Sequence, residues 1–249
     1  MSVRLVAQIA LFEGTPDSNA DALTERLASC ADRVGEIQHS HAARNSIGSQ
    51  GGGDLTWDLG FESDAACAAL FERSGPVPGI GLVGALGAAL DGLENAVAQT
   101  DAVIIEPIAE QVAQPDLVGV KRTLLLRVRE GTPAEQTAHF ERDMLAMPNH
   151  VPAIRNWSFG RVRSRPPLPV DDHRNLERHR TMESHWTHVW EQEFATADGL
   201  LVDYMLSPYH WGFIDPWFDL ECPQCIVETR LAHVFCPARR PVLCWSSPS

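Results

Sequence analysis

Three groups of side chains in this chain are of kinds that bind metals or move protons. Cys222-Pro-Gln-Cys225 has a spacing that suits a tetrahedral metal, and His233 and Cys236 downstream would complete a four-ligand set. His39 and His41 flank Ser40, so on a strand both imidazoles project from one face toward a metal or a substrate. His173 and His179 lie in RVRSRPPLPVDDHRNLERHRTMES, from Arg161 to Ser184. Each group also has a plainer reading. IVETRLA, between Cys225 and His233, reads as the last strand of the chain. Eight residue steps at ~3.3 Å would then hold Cys225 and His233 ~26 Å apart, too far to share one zinc. The cysteines therefore read as a structural or redox-silent pair, and no metal is expected. Two histidines are not a closed ligand set, so His39 and His41 read as surface or core residues. The prolines and dense mixed charge of 161–184 exclude a core element, which leaves a solvated loop or a lid.

The elements that must position such residues are written twice. VRLVAQIALFEGTP starts at Val3 and VKRTLLLRVREGTP at Val120, an offset of 120 − 3 = 117. After each EGTP comes a polar stretch with apolar residues at helical spacing: Leu23, Leu27 and Cys30 in one, Phe140, Met144 and Leu145 in the other. Thr15-Pro16 and Thr132-Pro133 supply an N-cap-like threonine and a proline suited to the first helical turn. A second and a third strand follow in each half. In the third, Trp57 matches Trp190 and Phe61 matches Phe194 at an offset of 133. A helix and a β-rich closing run end each half. The order β-α-β-β-α-β is the ferredoxin-like unit, whose helix-free sheet face needs a cover. Two copies in one chain can cover each other. The expected fold is α+β, with two tandem ferredoxin-like units of the dimeric α/β barrel type. The units are 1–115, a degenerate copy, and 116–249, which carries the inserted loop 161–184 and a C-terminal arm.

Composition bounds the partners. The chain has 249 residues, 44% of them hydrophobic, and a formal net charge of −13. That apolar fraction supports a real core. The acidic balance argues against nucleic acid and anionic membranes. No run approaches ~18 apolar residues, so no membrane span is expected. A cytoplasmic protein with reduced cysteines is the resulting expectation.

From Val120 to about His233 the second half resembles a stress-responsive dimeric A/B barrel (Dabb) domain. The resemblance rests on VKRTLLLRVREGTP, IRNWSFGR, WTHVWEQEF and, most specifically, YMLSPYHWGF from Tyr204 to Phe213. In the polyketide cyclases of that family, a tyrosine and a histidine six residues later form an acid–base pair for aldol-type ring closure without a cofactor. The resemblance thus implies Tyr204 and His210 as catalytic residues and no cofactor. The chemistry suits them. An imidazole of pKa ~6.5 takes a proton at neutral pH, and a buried phenol donates a hydrogen bond to a carbonyl becoming an enolate. Pro208 should end the helix carrying Tyr204, so that His210 can point back toward the phenol.

The family's third-strand histidine falls on His188, which shares parity with Trp186, Trp190 and Phe194. A first-strand histidine of the cyclases is replaced by Arg122, suited to a phenolate, carboxylate or enolate oxygen. Arg122 shares parity with Leu124, Leu126 and Val128 and is expected to open onto the barrel interior. At the 133 offset, Tyr204, His210 and His188 become Phe71, Val77 and Leu55, so the first copy lacks the constellation. Trp190, Phe194, Tyr209, Trp211 and Phe213 join His188 and Arg122 as candidate substrate-binding residues, with Trp186 and Trp217 nearby. An aromatic, phenolic substrate is expected, with a homodimeric assembly implied by the family. The leading expectation is a cofactor-independent lyase or cyclase, making or breaking a C–C bond beside a carbonyl. The alternatives are a non-catalytic stress-responsive or ligand-binding protein, and a haem-binding enzyme, since related barrels bind haem.

Overall fold

A computed structural model describes residues 3–72, 93, 96–164 and 186–243. The first unit runs β1 (Val3–Leu11), α1 (Asp17–Ala28), β2 (Ile37–Arg44), β3 (Leu55–Phe61), α2 (Asp64–Glu72) and β4 (Val97–Val112). The second runs β5 (Gly119–Leu126), α3 (Ala134–His150), β6 (Ile154–Ser164), β7 (His188–Phe194) and β8 (Ala232–Ala238). Between β7 and β8 lie two π-helical segments, Gly199–Tyr204 and His210–Ile214, and a 3-10 turn, Asp215–Trp217. The Phe71 side chain, Val77, His173, His179, most of the 161–184 loop and the end of the C-terminal arm lie outside the described residues.

All eight strands form one sheet, ordered β2-β3-β1-β4-β6-β7-β5-β8, with every ladder antiparallel. Each half has the same internal order, its second, third, first and fourth strands side by side. The fold is α+β, with two ferredoxin-like units in tandem. The repeated EGTP closes the same turn in both. Thr15 N–H donates to Phe12 O at 3.0 Å and Thr132 N–H to Arg129 O at 3.2 Å. Gly14 and Gly131 sit at φ of 83° and 81°, the left-handed region that the third residue of a type II turn requires. The threonines do not cap the helices. Their hydroxyls donate back across the turn to Phe12 O and Arg129 O, each at 2.7 Å, while the prolines occupy the cap positions.

The sheet curls into a barrel. β3 and β5 are five strands apart, ~24 Å if the sheet were flat, yet Lys121 Nζ lies 2.5 Å from Asp58 Oδ1. Arg4 on β1 meets Glu191 on β7 at 2.5 Å in the same way. The β4–β6 ladder joins the units along one side, from Ile104–Ser164 to Val112–Asn156. The opposite seam is sparse. Gln50 and His233 exchange two 2.8 Å backbone bonds, Ser46 N–H donates to Phe235 O at 2.8 Å, and Arg240 Nη2 reaches Ser40 O at 3.1 Å.

Both faces of the sheet are buried. Under the helices, Leu5, Trp57 and Phe61 pack with Leu23 and Leu27 in one half, while Leu124, Trp190 and Phe194 pack with Phe140 and Met144 in the other. The barrel interior holds Val6, Val103, Ile105, Leu125 and Val189 beside the Arg4–Glu191–Lys121–Asp58 chain of charges. His41 joins that chain, with Nδ1 3.5 Å from Asp58 Oδ2.

Three sequence expectations change here. Arg122 does not face the barrel interior. It lies under the helical segments with Leu124 and Leu126, and Lys121 and Thr123 point inward instead. Nor is IVETRLA the last strand. Val227 makes a single bridge to Val128, and the ladder to β5 is made by Ala232–Ala238. Trp186 also parts from His188: it packs inside the barrel, with Nε1 donating to Asp101 at 2.8 Å.

Candidate active site

The polar residues under the helical layer of the second unit converge on Arg122. β5 and β7 set Arg122 opposite Gln192, and β5 and β8 set it two residues from the Leu124–His233 pair, on the same face of the sheet. Its Nε donates to His233 Nε2 at 2.8 Å, and its Nη1 donates to Gln192 Oε1. The same Nη1 lies 3.3 Å from Tyr204 Oη, and the guanidinium carbon sits 5.0 Å from the centre of the phenol ring. The cation is thus fixed on three sides and aimed at the phenol.

Tyr204 ends the first π-helical segment. Ser207 breaks the helix, Pro208 opens the next helical stretch, and His210 follows two residues later. That break turns His210 back, so its ring meets Tyr204 edge-on with centroids 4.6 Å apart. Tyr204 is 1% exposed and His210 8%. His210 Nδ1 faces Asp215 Oδ1 at 3.3 Å, five residues on. That is ion-pair distance for a protonated ring, without hydrogen-bond alignment.

Electrostatics sets the resting protonation. Burial first, and then the Arg122 guanidinium, pulls the His210 pKa down to about 4. The imidazole is neutral at pH 7 and able to accept a proton. His233 is pulled down to about 3 by burial, Arg122 and His210, so it serves as a neutral acceptor for Arg122. Burial raises the Tyr204 pKa, with Arg122 opposing, and the phenol keeps its proton. Burial also raises Asp215, assisted by Asp219.

The other candidates divide. His188 is four residues from Gln192 along β7, ~13 Å away. Its Nε2 pairs with Glu141 at 3.1 Å, its Nδ1 with Thr187 Oγ1 at 2.8 Å, and its ring stacks on Phe159. Burial lowers its pKa, with Glu141 opposing. Trp190 and Phe194 are fully buried; Phe194 supports the Tyr204 ring edge-on at 6.0 Å. Tyr209 donates to Asp143 O and stacks between His150 and Phe213. Trp211 and Phe213 are 60% and 53% exposed. Trp217 is buried and donates from Nε1 to Asp143 at 2.9 Å.

Three members of the cluster went unread in the sequence. Gln192 stands at the same strand parity as Trp190 and Phe194, so a lone amide on an apolar face was the available signal. His233 reads from the sequence only as a metal ligand, because CIVETRLA has the stronger strand pattern and puts the last strand before it. Asp215 carried no local signal. Among the described residues no group of three or more His, Cys, Asp or Glu is placed to hold a metal, and no helix is long and apolar enough to cross a membrane.

No family model and no curated protein matches this chain. Among solved structures it is similar to a candidate monooxygenase from Fusobacterium nucleatum, with TM-score 0.56, 9% identity, 96% of this chain and 93% of that one covered. A candidate monooxygenase from Lactobacillus acidophilus gives 0.51 and 8%, covering 94% and 92%. An anthrone oxidase-like protein gives 0.54 and 10%, covering 95% and 90%. At these identities the likeness carries the fold, and it does so over nearly the full length of each pair: the chain has the architecture of ferredoxin-like α+β proteins built from two units.

Proposed function

We propose that the protein is a cofactor-independent enzyme of the Dabb type, using Tyr204 and His210 for proton transfer on a phenolic or aromatic carbonyl substrate. One observation carries this reading: a neutral imidazole lies against a protonated phenol, and a fixed guanidinium lies 3.3 Å from the phenol oxygen. In an aldol closure, His210 takes a proton from the carbon beside a carbonyl. The charge moves onto the carbonyl oxygen, where Arg122 and the Tyr204 O–H stabilise it. The carbanion carbon then bonds to a second carbonyl carbon, and the new alkoxide takes the proton back from the imidazolium. Asp215 faces that imidazolium at the moment it is charged. Run in reverse, the same steps release a small aldehyde, which is lyase chemistry. The name anthrone oxidase-like on a structural neighbour is compatible with the substrate class, since an anthrone is an aromatic ketone with a phenolic tautomer.

The test starts from a thermal-shift screen with phenolic aldehydes, lignin-type dimers and aromatic polyketides, followed by turnover of each stabilising compound. Undiminished turnover by the Tyr204→Phe/His210→Ala double variant would move the chemistry elsewhere. Stabilisation without any turnover would favour a ligand-binding protein. For a haem enzyme, His188 offers no free ring nitrogen, and a Soret band in the purified protein would favour that reading over ours.

A further inference from the structure

Cys222-Pro-Gln-Cys225 belongs neither to a metal cluster among the described residues nor to a strand. It forms a turn, closed by Cys225 N–H donating to Cys222 O at 3.0 Å. Such an i to i+3 closure holds the end Cα atoms within ~7 Å, which overlaps the separation a disulfide spans. The two thiols have unequal surroundings. Cys222 is partly exposed and Cys225 is buried. Arg129 clamps the buried one: Nη1 donates to Cys225 O at 3.1 Å and Nη2 lies 3.2 Å from Cys225 Sγ. A cation therefore stands where sulfur carries negative charge during thiol–disulfide exchange. The other described cysteines differ. Cys30, Cys67 and Cys236 are buried, and burial pushes their thiols up to about 11, 11 and 12.

We infer that Cys222 and Cys225 form a reversible dithiol–disulfide site, with a low-molecular-weight disulfide as its oxidant. The sulfur of the partly exposed Cys222 attacks the small disulfide and displaces one thiol, giving a mixed disulfide. Cys225 Sγ, three residues away across the turn, then attacks the Cys222 sulfur. The S–S bond forms as the second small thiol leaves. The two protons of the protein thiols end on the two departing thiols, the protein loses two electrons, and the small disulfide gains them. Excess thiol reverses both steps. This places a redox site on the turn, where sequence spacing alone suggests a silent pair.

The experiment equilibrates the full-length protein across a range of reduced-to-oxidised glutathione ratios, quenches with acid, alkylates, and maps tryptic peptides by mass. One peptide, Thr181–Arg230, contains Cys222 and Cys225 and no other cysteine. We expect it to pass from the doubly alkylated form to one lacking two hydrogens, and to return on addition of thiol. In Cys225→Ser the peptide should stop at a single glutathione adduct on Cys222. In Cys222→Ser, Cys225 should stay unmodified because it is buried. A wild-type peptide that remains doubly alkylated at every ratio, or that ends as a glutathione adduct without the internal bond, overturns the inference.

Discussion

Arg122 holds His233, Gln192 and Tyr204 at once, so its neighbours can be altered singly while the cation stays in place. Tyr204→Phe keeps the ring against Phe194 and His210 and removes only the hydroxyl. We expect Tyr204→Phe and His210→Ala each to lower kcat by about 10²–10⁴-fold with little change in Tm. His188→Ala should cost less, because its polar contacts run to Glu141 and Thr187 and not to the phenol. Equal losses in all three variants would undo the division of the site. A pH profile separates the roles further. His210 is depressed to about 4, so its neutral form persists well below the usual histidine range. The acid limb of kcat/KM should therefore fall near pH 4 to 5, about two units below that of a solvent-exposed histidine. A limb at ~6.5 would refute the account of burial and Arg122. The Tyr204–His210 meeting was legible from spacing and from the break in the helix that Pro208 signals, which falls at Ser207. The layer that Arg122 faces was not. Parity groups residues on one face of a strand, but β5 is buried on both faces from Lys121 to Leu126, so no alternation of polar and apolar residues marks which face meets the helices.

The strands themselves carry a cost that the sequence hid. Lys121 on β5 is fully buried, hydrogen-bonds Asp58 Oδ1 and Thr123 Oγ1 at 2.5 and 2.8 Å, and forms an ion pair with Glu191 Oε1 at 2.8 Å. Charged residues in strands ordinarily face water, so none of these stood out in the sequence. Lys121→Met should leave Asp58 and Glu191 facing an apolar chain and destabilise the protein by about 3–5 kcal/mol in urea unfolding. Arg44→Ala, which breaks exposed pairs to Asp17 and Asp21, should cost about 0–1 kcal/mol. A Lys121→Met loss as small as that of Arg44→Ala would show the interior chain of charges to be dispensable. The repeated turns were legible, because EGTP demands the same glycine conformation twice. Gly14→Ala and Gly131→Ala each place a side chain at φ above 80° with no atom within 4 Å of the new carbon. Each should cost about 1–2 kcal/mol from backbone strain alone, and the two losses should add, since the sites share no partner. Strand β8 was misplaced for the opposite reason. CIVETRLA looks more like a strand than AHVFCPA, whose proline sits at position 237.

At the scale of the whole molecule, burial of histidines should make the fold acid-sensitive. His39, His210 and His233 have folded pKa values of about 4, 4 and 3, below the ~6.5 of an unfolded chain. The unfolded chain therefore binds more protons between those values. The stability associated with these residues is fully present above pH ~6.5 and is lost as pH falls toward about 4. Asp58, held below the usual carboxylate range by Lys121 against its own burial, adds a further loss below pH ~4. Urea midpoints measured from pH 7 to 4 should fall steadily, and a flat profile would contradict the burial of these rings.

The two seams between the units also differ in how they should exchange amide hydrogens with solvent. The β4–β6 side is a long ladder, whereas the other side rests chiefly on the Gln50–His233 and Ser46–Phe235 bonds. Deuterium should enter the amides of Ser46, Gln50 and His233 well before those of Ile104–Val112, because few bonds must break to free them. His233 belongs to that early-opening seam and also receives the Arg122 proton donor. Each excursion of the seam would thus loosen the outer edge of the strand that carries one of the guanidinium's three tethers, coupling the breathing of the barrel to the aim of its cation.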